Sequence, residues 1–351
     1  MIDTKYLILG GGPAGIGALD VLGTEAILVD NRSSLGGLCS SFTVNGFTFD
    51  HSVHLSFTQI PEVKTYLESV KQFRHNSVSE NYWKGLWLKH PAQNNLFPLP
   101  VSEKSAIIKN FIDRPKIEEP KNYREWLVSG FGKKFTDTFS ELYTKKYWCV
   151  DSSKLSTSWC GNRQHLPSVD EVIDGANKPI STNYYYAKQM NYPQKGGYQS
   201  FFGKTIYPQQ VKLNTLISKI DTNMHIATST NGLQFHYEKL ISSIPLSVIT
   251  SILDNCPADI VKVANKLKAS SMADVSVGFK NNNVTIPSLW FYIYDLDIPF
   301  ARCYCPSMKS ANNSPCGKAS LQFEHYYIDE DNYSDNELIN AAKQFIVKNM
   351  A

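Results

Sequence analysis

The apolar positions of this chain follow two periods. Residues 6–9, Tyr-Leu-Ile-Leu, and residues 26–30, Ala-Ile-Leu-Val-Asp, are short unbroken apolar runs of the kind that form strands buried on both faces. A helical stretch separates them. Residues 41–50 then alternate strictly around Asn45-Gly46, whose two positive φ angles predict a tight hairpin. From 60 to 170 the period turns helical, as in SEKSAIIKNFI and FTDTFSELYTKKY, with loops containing Pro and Trp between the pieces. Short alternating strands return over 205–245, with a Thr-Asn-Gly turn at 230–232 and a buried-strand pattern in KLISSIP. Residues 270–327 are strand-like and aromatic. The last stretch, DNELINAAKQFIVKNMA, predicts an amphipathic helix with Leu338, Ile339, Ala342, Phe345 and Ile346 on or near one face.

The turn between the first two strands carries chemistry. Gly10, Gly12 and Gly15 follow the first strand at the spacing of a dinucleotide-binding turn, and Asp30 ends the second strand 20 positions after Gly10. Gly10 permits the tight turn, Gly12 lets a pyrophosphate approach the backbone, and Gly15 lets the helix that begins near Pro13 and Ala14 lie close to the sheet. Unpaired amides at that helix start attract phosphate, and Asp30 is placed to accept hydrogen bonds from a ribose. A second basic, glycine-bearing turn follows at once, with Asn31, Arg32, Gly36, Gly37 and Leu38. Such a turn can reach the same pyrophosphate from the other side, which points to FAD rather than a nicotinamide dinucleotide.

Composition narrows the reading a little. At 351 residues the chain is long enough for two or three lobes, and 42% hydrophobic residues is ordinary for a globular protein. A net charge of +3 argues against a nucleic-acid partner without repelling an anionic small molecule. No apolar run is of membrane-spanning length and no signal peptide precedes the first strand, so the expected location is the cytoplasm. Seven cysteines without paired CxxC spacing fit reduced thiols better than a disulfide framework or a metal site. There is no GxSxG or HExxH motif, which leaves the chemistry to a cofactor.

Beyond the dinucleotide turn, the sequence resembles the FAD-dependent amine-oxidase and protoporphyrinogen-oxidase-like flavoproteins, and within them the branch of UDP-galactopyranose mutase. HPAQNNLFPLP at 90–100 is similar to that branch's YPxQNNLxxLP. Residues 122–167 are similar to its NFxEWxxxxFGxxxxxxFxxPYNxKxWxxxxxxMSxxWxxxRxxxP block. YPQKGGY, SSIPL and IPFARCYCP continue the match in order. The resemblance implies an α/β chain: a Rossmann-like FAD-binding domain built from 1–59 and, with a β-meander, 181–269; a mostly helical lobe over 60–180; an antiparallel-sheet substrate lobe over 270–330; and a C-terminal helix over 331–351.

The resemblance also implies site residues. His54 would lie near the flavin's reactive nitrogen, in FDHSVH where relatives show FDxGGH, so Ser52 and Val53 stand where glycines would pass the ring. Ile217 would offer backbone groups to the adenine, or simply fill the core. Cys39 is read as packing. Trp159, Arg163, Tyr185 and Arg302 would bind substrate, the two arginines gripping the diphosphate of an anionic nucleotide sugar with planar forks. Three functions follow: a flavin-dependent sugar mutase or oxidoreductase of polysaccharide metabolism, an amine-oxidase-like dehydrogenase, or a degenerate non-catalytic scaffold. The family's final strand, glycine turn and helix have no counterpart before residue 351. The expectation is therefore weak FAD retention, an open apolar groove and a tendency to self-associate into homo-oligomers.

Overall fold

The computed structural model describes residues 1–160, 164–330 and 332–350. Strand β1 (Ile2–Leu9), helix α1 (Pro13–Leu22) and strand β2 (Ala26–Val29) form the expected parallel unit, with Leu7, Ile8 and Leu9 in register with Ile27, Leu28 and Val29. All six side chains are buried, as an unbroken apolar run between two covered faces requires. The strand Gln234–Ser242 pairs parallel to the far side of β1 and leads the antiparallel meander of Ile226–Ser229 and Ile217–Asp221. Val211–Lys212 closes the other side, beyond β2, and completes six strands. Within KLISSIP, Leu240 and Ile241 are only half-buried, although they pair with fully buried Leu7 and Ile8 of β1.

A hairpin follows, β3 (Ser41–Val44) and β4 (Phe47–Asp50), with Asn45 and Gly46 at φ 51° and 81° as the Asn-Gly signal requires. The helical lobe is centred on Val101–Ile112, Tyr123–Phe131 and Glu141–Trp148. It packs Ile107, Phe111, Leu127, Phe131, Phe135 and Phe139 into one core. Between the last two helices the backbone widens into a π-turn at Thr136–Ser140, where the hydroxyls of Thr136 and Thr138 bond back to Gly132 O and Lys134 O.

Residues 72–89, expected inside the helical lobe, instead supply strands to other layers, while Pro61–Glu68 is a helix. Gln72–Asn76 pairs with Gln189–Pro193 in a separate ribbon. Glu80–Trp83 and Leu86–Lys89 turn tightly through Lys84 and Gly85, both at positive φ, and join the second large sheet. That sheet has six strands in the order Ser271–Gly278, Ser320–Tyr327, Arg302–Tyr304, Trp290–Ile293, Glu80–Trp83, Leu86–Lys89. It is mixed rather than antiparallel throughout: Trp290–Ile293 runs parallel to Glu80–Trp83, because the latter arrives from a distant part of the chain instead of a hairpin.

One face of this sheet packs Phe291, Cys303, Leu321 and Phe323 against Leu338, Ala342, Phe345 and Ile346 of the terminal helix Asp335–Asn349. A capping box of Ser334 and Glu337 starts that helix. Ile339 departs from the expected face and is 39% exposed, since it lies about 100° round the helix from Leu338. No helix among the described residues is long and apolar enough to cross a membrane. Phe345→Ala should cost about 3–5 kcal/mol by opening a cavity under the sheet, and Ile339→Ala about 1 kcal/mol or less. Urea midpoints of the two variants measure the difference.

Candidate functional site

The site is built where the first βα turn, the second glycine turn and the hairpin meet. A Cβ on Gly15 would sit 1.8 Å from Gly10 O, so only glycine lets α1 start this close to β1. Helix α1 opens at Gly12 with no side-chain cap, and Pro13 and Ala14 are exposed. Its first amides are therefore available to an anion. The second turn is bonded to the first through Gly36 N to Gly11 O, 2.8 Å, and Gly37 faces Gly12 so closely that a Cβ on Gly37 would lie 2.9 Å from Gly12 Cα. Asp30 ties both turns: one carboxylate oxygen accepts Gly11 N at 2.5 Å and the other Arg32 N at 2.7 Å. A carboxylate has lone pairs left for a ribose after those two bonds. Arg32 folds back to donate to Gly37 O, 3.0 Å, while Asn31 and Leu38 are exposed at the rim. The donor set fits the pyrophosphate of a dinucleotide.

The loop from 213 to 216 crosses the end of β2, with Asn214 N and Thr215 N donating to Arg32 O and Asp30 O. Ile217 follows it. Its side chain is buried in the cluster that includes Leu7, Leu9 and Phe235. Cys39 packs with Leu67, Tyr192, Tyr198 and Phe201.

Beyond the cradle the chain runs through Asp50 to His54. Asp50 is wholly buried and accepts Ser41 Oγ (2.7 Å), Tyr198 N (2.8 Å), Tyr192 OH (2.8 Å) and Lys309 Nζ (2.6 Å). Burial pushes its carboxyl up, but Lys309 and these bonds outweigh that and hold it below the ordinary carboxylate range. His54 stacks on Tyr198 at 4.8 Å and donates through Nε2 to Leu38 O at 3.0 Å, which joins it to the second glycine turn. Burial, and then the charge of Lys309, lowers its affinity for a proton, so the ring is neutral near pH 7.

Ser52 adopts φ +112°, a backbone region that favours glycine. It is held there by Glu324, whose Oε1 accepts Ser52 Oγ (3.0 Å) and Val53 N (2.8 Å). Glu324 is completely buried, and its Oε2 accepts Arg302 Nε (2.5 Å) and Tyr326 OH (2.9 Å). Asp274, Glu324, Arg302, Tyr292 and Asn81 are directly opposed on five neighbouring strands and so make one polar row across the sheet. Burial works against the charge of Arg302, yet Glu324 and the neighbouring tyrosines keep the guanidinium charged. Asp274 has no such partner. Burial and the charge of Glu324 push its carboxyl up to about 8, against the weaker pull of Arg302.

Arg302 opens onto a cavity of about 320 Å³ between the sheet and the helical lobe. Its lining is aromatic: Tyr143, Tyr147, Trp148, Trp159, Tyr185 and Tyr292 stand with His90, His165 and Gln164 around the arginine. Burial raises Tyr143, Tyr185 and Tyr292, so their hydroxyls stay protonated and able to donate at any physiological pH. No Asp or Glu lines this space among the described residues.

The description of an NAD(P)-binding Rossmann-like domain matches residues 8–70. A reduced UDP-galactopyranose mutase superposes with a TM-score of 0.85 at 24% identity, over 99% of this chain and 77% of that one. A protein from Exiguobacterium sp. 255-15 assigned as a protoporphyrinogen oxidase superposes at 0.71 with 16% identity, over 98% and 82%. Putrescine oxidase bound to putrescine gives 0.64 with 14% identity, over 99% and 82%. The chain shares the fold of these structures.

Within that fold the sequence-predicted residues divide into two groups. Gly10, Gly12, Pro13, Ala14, Gly15, Asp30, Asn31, Arg32, Gly36, Gly37 and Leu38 come together as the cradle, with His54 bonded to its edge. Trp159, Tyr185 and Arg302 share the aromatic cavity, whereas Arg163 lies outside the described residues. Sequence reasoning missed Glu324, Asp274 and Lys309, which sit in strand-like or short helical segments with no motif around them. It also missed Tyr143, although that residue falls on the Tyr of the block matched over 122–167, and Tyr292, whose only signal is the high tyrosine count.

Two measurements test this geometry. A Cβ on Gly12 meets only Gly37 Cα, at 3.9 Å, so Gly12→Val should fold but fail to retain a dinucleotide. Gly15→Val should fail to fold, and thermal melts beside cofactor titrations separate the two cases. Asp274 holds its proton more tightly in the folded chain than in the unfolded one, so stability falls as pH rises from about 4 to about 8. Asp274→Asn removes that slope and should be more stabilising at pH 9 than at pH 5 by on the order of 4 kcal/mol in urea melts.

Proposed function

We propose that this chain is an FAD-dependent enzyme whose substrate is an anionic nucleotide sugar of polysaccharide metabolism. The observation that carries the reading is the cavity: one charged guanidinium, a wall of protonated tyrosines and no carboxylate among its described lining residues. Arg302 can offer its outer nitrogens to phosphate oxygens, and aromatic faces such as Trp159 and Tyr185 can stack on a sugar or a base. A diamine such as the putrescine in one structural neighbour would find no carboxylate among the described lining residues to receive its ammonium groups, since Glu324 behind the cavity is taken up by Arg302.

FAD held in the glycine cradle supplies a ring able either to take hydride from the sugar or to assist its rearrangement without net oxidation. The chain's own residues bind and orient. Asp30 and the paired turns hold the dinucleotide, neutral His54 presents a proton-accepting nitrogen beside Tyr198, and the tyrosine wall excludes water from the cavity. Keeping both a phosphate cradle and an arginine-bearing cavity speaks against a purely structural scaffold.

Calorimetric titration of the full chain tests the reading. FAD and UDP-galactose should bind, putrescine should give no heat, and Arg302→Lys should weaken UDP-galactose about tenfold or more while FAD affinity holds, because the charge stays and the fork is lost. Binding of NADP without FAD, or of putrescine in preference to UDP-galactose, would overturn it.

A further inference from the structure

Serine at position 52 is not explained by the backbone. At φ +112° a glycine would sit without strain, so what serine adds is its hydroxyl. That hydroxyl shares Glu324 Oε1 with Val53 N, while Arg302 and Tyr326 share Oε2, and Arg302 Nη2 also donates to Tyr326 OH at 3.1 Å. The two oxygens of one buried carboxylate thus serve two sites: the loop that carries His54, and the arginine that opens onto the aromatic cavity.

We infer that Ser52 is a positioning residue that couples the two sites: through Glu324 its hydroxyl sets how available Arg302 is to an anion in the cavity. An anionic ligand and Glu324 compete for the same guanidinium. Donors on Oε1 take up part of the carboxylate's charge and weaken its hold on Arg302. Remove the Ser52 hydroxyl and Glu324 leans harder on Arg302, so an incoming diphosphate must displace a stronger partner. In the other direction, a diphosphate that draws Arg302 away leaves Glu324 more dependent on Ser52 and Val53, which firms the His54 loop. Coupling of this kind is reciprocal by thermodynamic necessity. The other charged groups around Glu324 are Asp274, directly opposite on the neighbouring strand, and Lys309, which is committed to Asp50.

The inference rests on the reading of Arg302 as an anion ligand, and the test separates the two. UDP is titrated into the full chain and into Ser52→Gly, Ser52→Ala, Arg302→Gln and the Ser52→Gly/Arg302→Gln pair, each with a thermal melt. Ser52→Gly should melt at or above the wild-type temperature yet bind UDP about fivefold more weakly. Arg302→Gln should lose more than that, and adding Ser52→Gly to it should change nothing further, because the hydroxyl acts only through the arginine. Ser52→Ala lacks the same hydroxyl and repeats the binding measurement whether or not the glycine variant is well folded. Wild-type affinity in both Ser52 variants, with affinity lost in Arg302→Gln, would overturn the coupling and leave the anion reading intact. Equal losses from Ser52→Gly in the presence and absence of Arg302 would also overturn it. If Arg302→Gln binds UDP as well as the wild type, or the wild type does not bind it, the anion reading fails and the coupling fails with it.

Discussion

The buried ion pair between Asp50 and Lys309 is the contact on which the arrangement of the two sites depends. Both side chains are 0% exposed, so each has lost its hydration, and such a pair persists only where close partners surround it. Asp50 collects Ser41, Tyr192 and Tyr198 besides the lysine, and the ammonium lies 4.2 Å and 4.5 Å from the ring centres of Tyr304 and Tyr192. Tyr304 also donates its hydroxyl to Asp50 O. The pair bolts the end of the Asn-Gly hairpin to the short helix Pro306–Lys309 beside the sheet that carries Arg302. Removing one partner would leave a naked charge in the interior, which makes the position of the next four residues, His51 to His54, a consequence of electrostatics rather than of local propensity.

From that anchor the chain has little freedom. Asp50 pins the start of the segment, Glu324 pins Ser52 and Val53, and Leu38 pins His54, so a stretch with no regular secondary structure is held at three successive places. The strain at Ser52 is confined to the link between cradle and cavity, where unusual backbone is most often functional. Ionised Glu324 and charged Arg302 stabilise each other, whereas Asp274, one strand further on, is left as the uncompensated acid of the row.

The motif YPQKGGY shows how a short segment serves this frame. Tyr192 and Tyr198 supply two of the bonds to Asp50. A Cβ on Gly197 would lie 2.3 Å from Ser41 Oγ, so the chain can bring Tyr198 N to the carboxylate only if that residue is glycine. Gln199 extends the same lacing to the second glycine turn through Leu35 O. The cradle and the hairpin are thereby laced into one unit beside the aromatic cavity.

What the sequence determined by itself was local. The βαβ unit, the glycine cradle, Asp30 at its strand end, the Asn-Gly hairpin and the terminal helix all follow from periodicity and turn chemistry, because the forces that form them act between residues near in sequence. The tertiary structure alone decided what the polar alternation of Ser320, Gln322, Glu324 and Tyr326 means. Along the chain that pattern reads as a solvated strand face, yet the first three of these residues are completely buried. The sheet partners of residues 72–89 were equally hidden, since a four-residue strand carries no record of which distant strand it will meet. The Asp50–Lys309 and Arg302–Glu324 pairs span 259 and 22 positions, and the charge states that shape the candidate site arise only when folding takes those groups out of water together.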